Sequence, residues 1–254
     1  MQEKFHFTTD RAKIQKQYAA IFFFVSAQLS LIQTHLQLLE RSRSNRRCRA
    51  LRLAIQWIRH ERAKRGQHHA YAAVDSMPIE LCHAARMYRV KRFQGIADIG
   101  LCASKKQWYD GLKLHLQVTD QGLPVGYVVT EASCHDRIAA ETVMTPIPHP
   151  YNLGEKGFVS NDLQRKLYEE YEIAFWTPSR KNQKHRPSAS WERWLQQKRK
   201  VVETVFSVLV DPHRITDIRA HSIVGFEVAL DGIPSELRRM YRGTDRFFDT
   251  SKLL

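Results

Sequence analysis

The chain has 254 residues, 43% hydrophobic and 10% aromatic, a composition that supports a globular core and excludes a disordered or fibrous protein. Its 40 lysines and arginines outnumber 26 acids, leaving a net charge of +14. That surplus points to a phosphate-rich partner, because neutralised phosphates release counterions whatever the nucleic-acid sequence, and it disfavours a membrane surface, since no basic helix has a clean apolar face. Four scattered cysteines, Cys48, Cys82, Cys102 and Cys134, form no Cys-x-x-Cys zinc pair, and no disulfide framework is expected, so the expected compartment is a reducing cytoplasm.

Residues 1–65 read as helical and basic. The apolar run from Tyr18 to Ile32 is broken by Ser26, Gln28 and Ser30 and falls short of the about 20 residues that span a bilayer, so a buried helix is expected. Ten cations follow between Arg41 and Arg65, with Glu61 the one acid among them. They read either as a solvated helix face or as a DNA-contacting surface, and mutual repulsion favours the second.

The run Ala70 to Asp75, followed by Ser76 and Pro78, reads as a buried strand whose last residue, Asp75, emerges at the sheet rim as a turn residue or a ligand. Residues 80–106 mix six cations with Tyr88 and Phe93 and are expected to form an irregular basic loop. A hairpin follows: Leu112, Leu114, Leu116 and Val118 alternate with Lys113, His115 and Gln117, and Asp120-Gln121-Gly122 turns the chain into the strand from Val125 to Thr130. Lys113 and His115 share a face, either solvated or on phosphate. Asp136 is expected to cap a short helix from Ile138 to Met144. Beyond three prolines, Glu155 lies between Gly154 and Lys156-Gly157 at another strand end. Then come a helix from Asn161 to Tyr171, a strand from Ile173 to Pro178 and a basic loop from Ser179 to Ser190. The last clear element is a helix from about Trp191 to Val210, where Arg199 and Glu203 are spaced for an intrahelical ion pair. This order suits an α/β fold, a mixed sheet flanked by helices, with Asp75, Glu155 and Glu203 delivered by two strands and a late helix.

Six stretches carry a resemblance: Val74-Asp75-Ser76-Met77-Pro78, the run from Trp108 to His115, Ser133-Cys134-His135-Asp136-Arg137, the run from Leu153 to Phe158, Arg180-Lys181-Asn182, and the run from Arg199 to Phe206. In these and in their order the chain resembles the DDE-type transposases of bacterial insertion sequences. The resemblance implies a ribonuclease-H-like catalytic domain over residues 66–230, between a basic helical region, 1–65, and a basic tail, 231–254. It implies Asp75, Glu155 and Glu203 as catalytic and metal-binding acids, and DNA contacts from Lys113, His115, Lys156, Arg180, Lys181 and Arg199. The implied cofactor is a pair of Mg2+ ions, with Mn2+ as substitute. The implied partner is double-stranded DNA, both the element's ends and the target, bound by a homo-oligomer.

Cleavage and strand transfer need in-line attack by water and then by a DNA 3′-hydroxyl, and ions held by carboxylates stabilise the entering and leaving oxygens. The chain departs from the family at one point: where the family's middle motif is similar to Gly-Asp-Lys-Gly, this chain has Glu155. The extra methylene moves the carboxylate by about 1.5 Å, against ions that sit roughly 3.5–4 Å apart. A catalytically impaired, DNA-binding remnant is therefore the alternative reading.

Overall fold

The computed structural model describes residues 41–231, apart from 83, 104, 180–186, 212 and 219. The apolar run at 18–32, the basic residues Arg180 and Lys181, and the tail beyond 231 lie outside the described residues. The chain divides into two compact units, Met1–Gln56 and Trp57–Leu254. The first contains helix α1 (Arg41–Ala50) and the opening of α2 (Arg52–Lys64), as the helical reading of this region expected. In α1, Arg43, Arg46, Arg47 and Arg49 are exposed.

The second unit is built on a six-stranded sheet of β1 (Ala72–Glu80), β2 (Asp98–Cys102), β3 (Gln107–Thr119), β4 (Pro124–Glu131), β5 (Tyr151–Gly154) and β6 (Ala174–Trp176). The order is β2-β3-β1-β5-β6, with β4 also paired to β3. Pairs involving β3 are antiparallel, while β1/β5 and β5/β6 are parallel, so the sheet is mixed. Among the described residues, α3 (Asp136–Met144), α4 (Asn161–Tyr171) and α5 (Ala189–Val210) flank it, and a helical segment over 223–231 adds Phe226 and Leu230 to the core. This is the α/β arrangement expected from the sequence, and it is compatible with a ribonuclease-H-like transposase core.

Alternation along the strands sorts residues between two cores. Leu112, Leu114, Leu116 and Val118 of β3 join Ala73, Met77 and Ile79 of β1 against Leu195, Val202, Val205 and Leu209 of α5. Val74 looks the other way, into a cluster with Ala140, Val143 and Met144 of α3, Leu167 of α4, Phe158 and Phe175. Each fully buried leucine contributes about 1.5–3 kcal/mol of burial before entropy is counted. The part of α2 in this unit adds Ala63 to a smaller cluster with Val125 and Ile147, and Arg59 pairs with Asp231 at 2.9 Å.

Three local expectations are corrected. The first strand does not end at Asp75. It runs on to Glu80, because β3 keeps pairing with it over that whole length. What ends is its parallel pairing with β5, whose last pair is Val74 with Gly154. Pro78 is tolerated where only one neighbour remains. Residues 80–106 are not wholly irregular, since Asp98–Cys102 forms β2 along the first part of β3. Asp136 does not cap α3: the cap is His135, whose Nδ1 accepts from the Arg137 amide at 3.3 Å, which leaves the Asp136 carboxylate to turn inward.

The hairpin forms as expected, with Leu116 opposite Tyr127, a bulge between Gln117 and Val118, and Gly122 at φ +73° in the turn. Helix α4 has the expected bounds, capped by Ser160, whose hydroxyl accepts from the Leu163 amide. Ser188 does the same for α5, which begins at Ala189, two residues before the expected start at Trp191. Among the described residues no helix is long and apolar enough to cross a membrane.

Candidate active site

Asp75 and Glu155 each follow the last residue of a paired run. Asp75 succeeds Val74, Glu155 succeeds Gly154, and Val74 and Gly154 are opposite each other on adjacent parallel strands. Both carboxylates are thus set at the carboxyl end of the β1/β5 pair, the place where open α/β sheets bind ligands. Asp75 faces α5 and is only 8% exposed. Its Oδ1 accepts from the Ser76 amide at 2.8 Å, and its Oδ2 accepts from Arg199 Nη2 at 3.3 Å. Arg199 is equally enclosed, 7% exposed, on the same helix face as Leu195, Val202 and Val205. The same Nη2 lies 3.7 Å from Glu155 Oε1, so one guanidinium joins the two acids. Burial pushes the Asp75 carboxyl up to about 6; the charges of Glu155 and, more weakly, Asp136 act in the same direction, against the Ser76 amide and Arg199.

Ser76 points to the opposite sheet face, where a second polar cluster surrounds Asp136. The Ser76 hydroxyl donates to Asp136 Oδ1 at 3.0 Å, and Lys113 Nζ lies 3.4 Å from the same oxygen while donating to the Cys134 carbonyl at 2.7 Å. His115 Nδ1 is 3.8 Å away, and its Nε2 meets Thr130 Oγ1 at 3.0 Å. Its ring is fully buried, and burial holds its pKa below the ordinary value, so Lys113 supplies the charge opposite Asp136. Gly157 completes the cluster: a Cβ there would lie 2.7 Å from Asp136 Oδ2. Asp136 therefore touches both the residue after Asp75 and the turn after Glu155.

Of the residues singled out in the sequence, the fold brings Asp75, Glu155 and Arg199 together. Lys113 and His115 do share a face, and it is turned to Asp136 inside the protein. Lys156 is exposed at the start of a short 3₁₀ turn, Lys156–Phe158. Glu203 is exposed one turn beyond Arg199, and the expected pair between them does not form because the guanidinium is taken by Asp75 and Glu155. Asp136 and Ser76 were missed as site residues. The signal for both was present, since each lies inside a stretch that carries the resemblance.

Two acidic side chains converging on one cationic group fit a cation at that point. A fuller ligand set is not assembled: among the described residues no three His, Cys, Asp or Glu side chains are grouped to hold a metal ion. The transposase DDE domain family matches residues 65–223, which include β1, β5 and α5 as far as Asp75, Glu155, Arg199 and Glu203 are concerned. The chain belongs to the DDE transposase family. No curated protein and no solved structure was found to match it. DDE transposase domains generally use divalent metal ions.

Proposed function

We propose that this DDE transposase cuts DNA at insertion-sequence ends and joins the freed 3′-hydroxyl to target DNA. The observation that carries the reading is the meeting of Asp75 and Glu155, 80 positions apart in sequence and each one residue beyond the last pair of two parallel strands, on one buried positive charge. Asp75 and Glu155 hold the metal, and Glu203 is the third acid. Bound Mg2+, or Mn2+ in its place, supplies charge for the developing oxyanions and lowers the pKa of attacking water. Lys156, exposed beside Glu155, holds a DNA phosphate together with Arg180 and Lys181 of the basic loop and with Arg199. Lys113 and His115 act one layer further in, by fixing Asp136. The basic surface of α1 binds the flanking duplex, and the protein works in the cytoplasm as a homo-oligomer on double-stranded DNA.

A second reading, a DNA-binding protein that no longer cuts, is favoured by Glu155 in place of an aspartate and by the exposed Glu203, which among the described residues completes no three-acid cluster with Asp75 and Glu155. Incubation of the protein with DNA carrying the element's ends and Mn2+ separates the two. The enzyme reading requires nicked or joined products that disappear with Asp75→Ala. Salt-sensitive binding without products, in the presence of either ion, replaces it with the second reading.

A further inference from the structure

The ion pair at the centre of the site is poorly made for a permanent one. Charge-assisted N–H···O bonds to carboxylates settle at about 2.7–2.9 Å, and arginine normally engages them through two parallel bonds. Arg199 uses a single nitrogen, Nη2, for both acids, at 3.3 Å to Asp75 and 3.7 Å to Glu155. Its Nε is buried with no hydrogen-bond partner among the described residues. A buried guanidinium with a donor unmet and two long contacts has given up hydration without full return. Divalent ions bind carboxylate oxygens at about 2.0–2.1 Å in the case of Mg2+, far closer than the guanidinium comes.

We infer that Arg199 is the resident counter-ion of Asp75 and Glu155, and that it competes with the divalent ion for those two carboxylates. The inference rests on the proposed metal role of Asp75 and Glu155. Two carboxylates this close need a positive charge between them, and in the absence of metal Arg199 provides it. Arg199 would yield both carboxylates to an ion held there, because two cations at the same oxygens repel each other. The displaced Arg199, with Nε and both terminal nitrogens available, is then placed to take a phosphate oxygen of the DNA beside the ion. Metal entry and phosphate capture become one exchange of partners, and the site stays closed by its own arginine until a divalent ion arrives.

The test is Mn2+ binding to the full chain by titration calorimetry, without DNA, for the native protein, Arg199→Gln, and Arg199→Gln combined with Asp75→Asn, with melting curves of each in and out of Mn2+. Removing the competitor is expected to tighten Mn2+ binding at least about tenfold. The double variant is expected to lose that gain. Mn2+ is also expected to raise the melting temperature of Arg199→Gln more than that of the native protein, since the ion replaces the missing charge. Unchanged or weaker binding in Arg199→Gln overturns the inference, as does tight binding that survives Asp75→Asn. A variant that stays unfolded in saturating Mn2+ overturns it too, because the ion then fails to stand in for the guanidinium. Failure of the enzymatic reading looks different: Mn2+ binding as described with no DNA cut leaves the exchange intact, and cleavage with unchanged metal affinity leaves the enzyme intact.

Discussion

Gly157→Ala probes the contact that ties the turn after Glu155 to the Asp136 cluster. The added methyl would sit 2.7 Å from Asp136 Oδ2, so the carboxylate must move by several tenths of an ångström. A free carboxylate would do so at little cost. This one is held by the Ser76 hydroxyl at 3.0 Å and Lys113 at 3.4 Å, and moving it weakens both. Hydrogen bonds to charged groups are worth about 1.5–3 kcal/mol net, and partial loss of one sets the crowding cost at about 1–2 kcal/mol. Against it, replacing glycine where φ is not positive stabilises by about 0.4–1 kcal/mol through the unfolded chain. The net expectation is a loss of about 1 kcal/mol, read by urea denaturation. The same substitution in an Asp136→Ala background has nothing to crowd and is expected to stabilise by about 0.5 kcal/mol. Equal losses in both backgrounds would refute the reasoning, because the methyl would then be meeting something other than Asp136.

Phe158, fully buried and edge-on to Phe175 at 6.2 Å, anchors the turn that follows Glu155; Phe158→Ala is expected to cost about 3–5 kcal/mol in denaturation, and a loss under about 1 kcal/mol would show that the turn is held from elsewhere. His149 is also fully buried, its Nδ1 accepting from the Tyr151 amide at 3.2 Å and its Nε2 donating to the His69 carbonyl at 3.0 Å. Burial lowers its pKa, so as pH falls below the ordinary histidine value the unfolded chain takes up a proton that the folded one refuses; stability is expected to drop there, and His149→Gln to flatten that part of the pH profile measured by urea melts. For the metal site, Glu155→Asp is expected to raise Mn2+-dependent cleavage of the element's ends relative to the native chain. Equal rates from both proteins would make Glu155 a working ligand as it stands.

Short-range signals alone set much of the scaffold. The alternation of Leu112, Leu114, Leu116 and Val118 with polar residues is a backbone period, and it yields β3 and its hairpin partner whatever else the chain does. The helix read from Asn161 to Tyr171 forms with those bounds, its first turn satisfied locally by the Ser160 hydroxyl. Asp75 and Glu155 were legible as acids at strand ends, and the resemblance marked them together with Glu203 as a set of three. Other features depended on neighbours. The extension of β1 to Glu80 and the existence of β2 follow from β3 being long enough to pair beyond the hairpin, which no local pattern states. Asp136 looked like a cap because its carboxylate had no other visible use; only the fold brings Ser76, Lys113 and Gly157 against it. Arg199 had Glu203 one turn away as its obvious partner. The tertiary structure chose differently, because Arg199 lies on the buried face of α5, and a buried cation goes to Asp75, the carboxylate enclosed with it, and reaches the exposed Glu155 from there, while Glu203 remains in water.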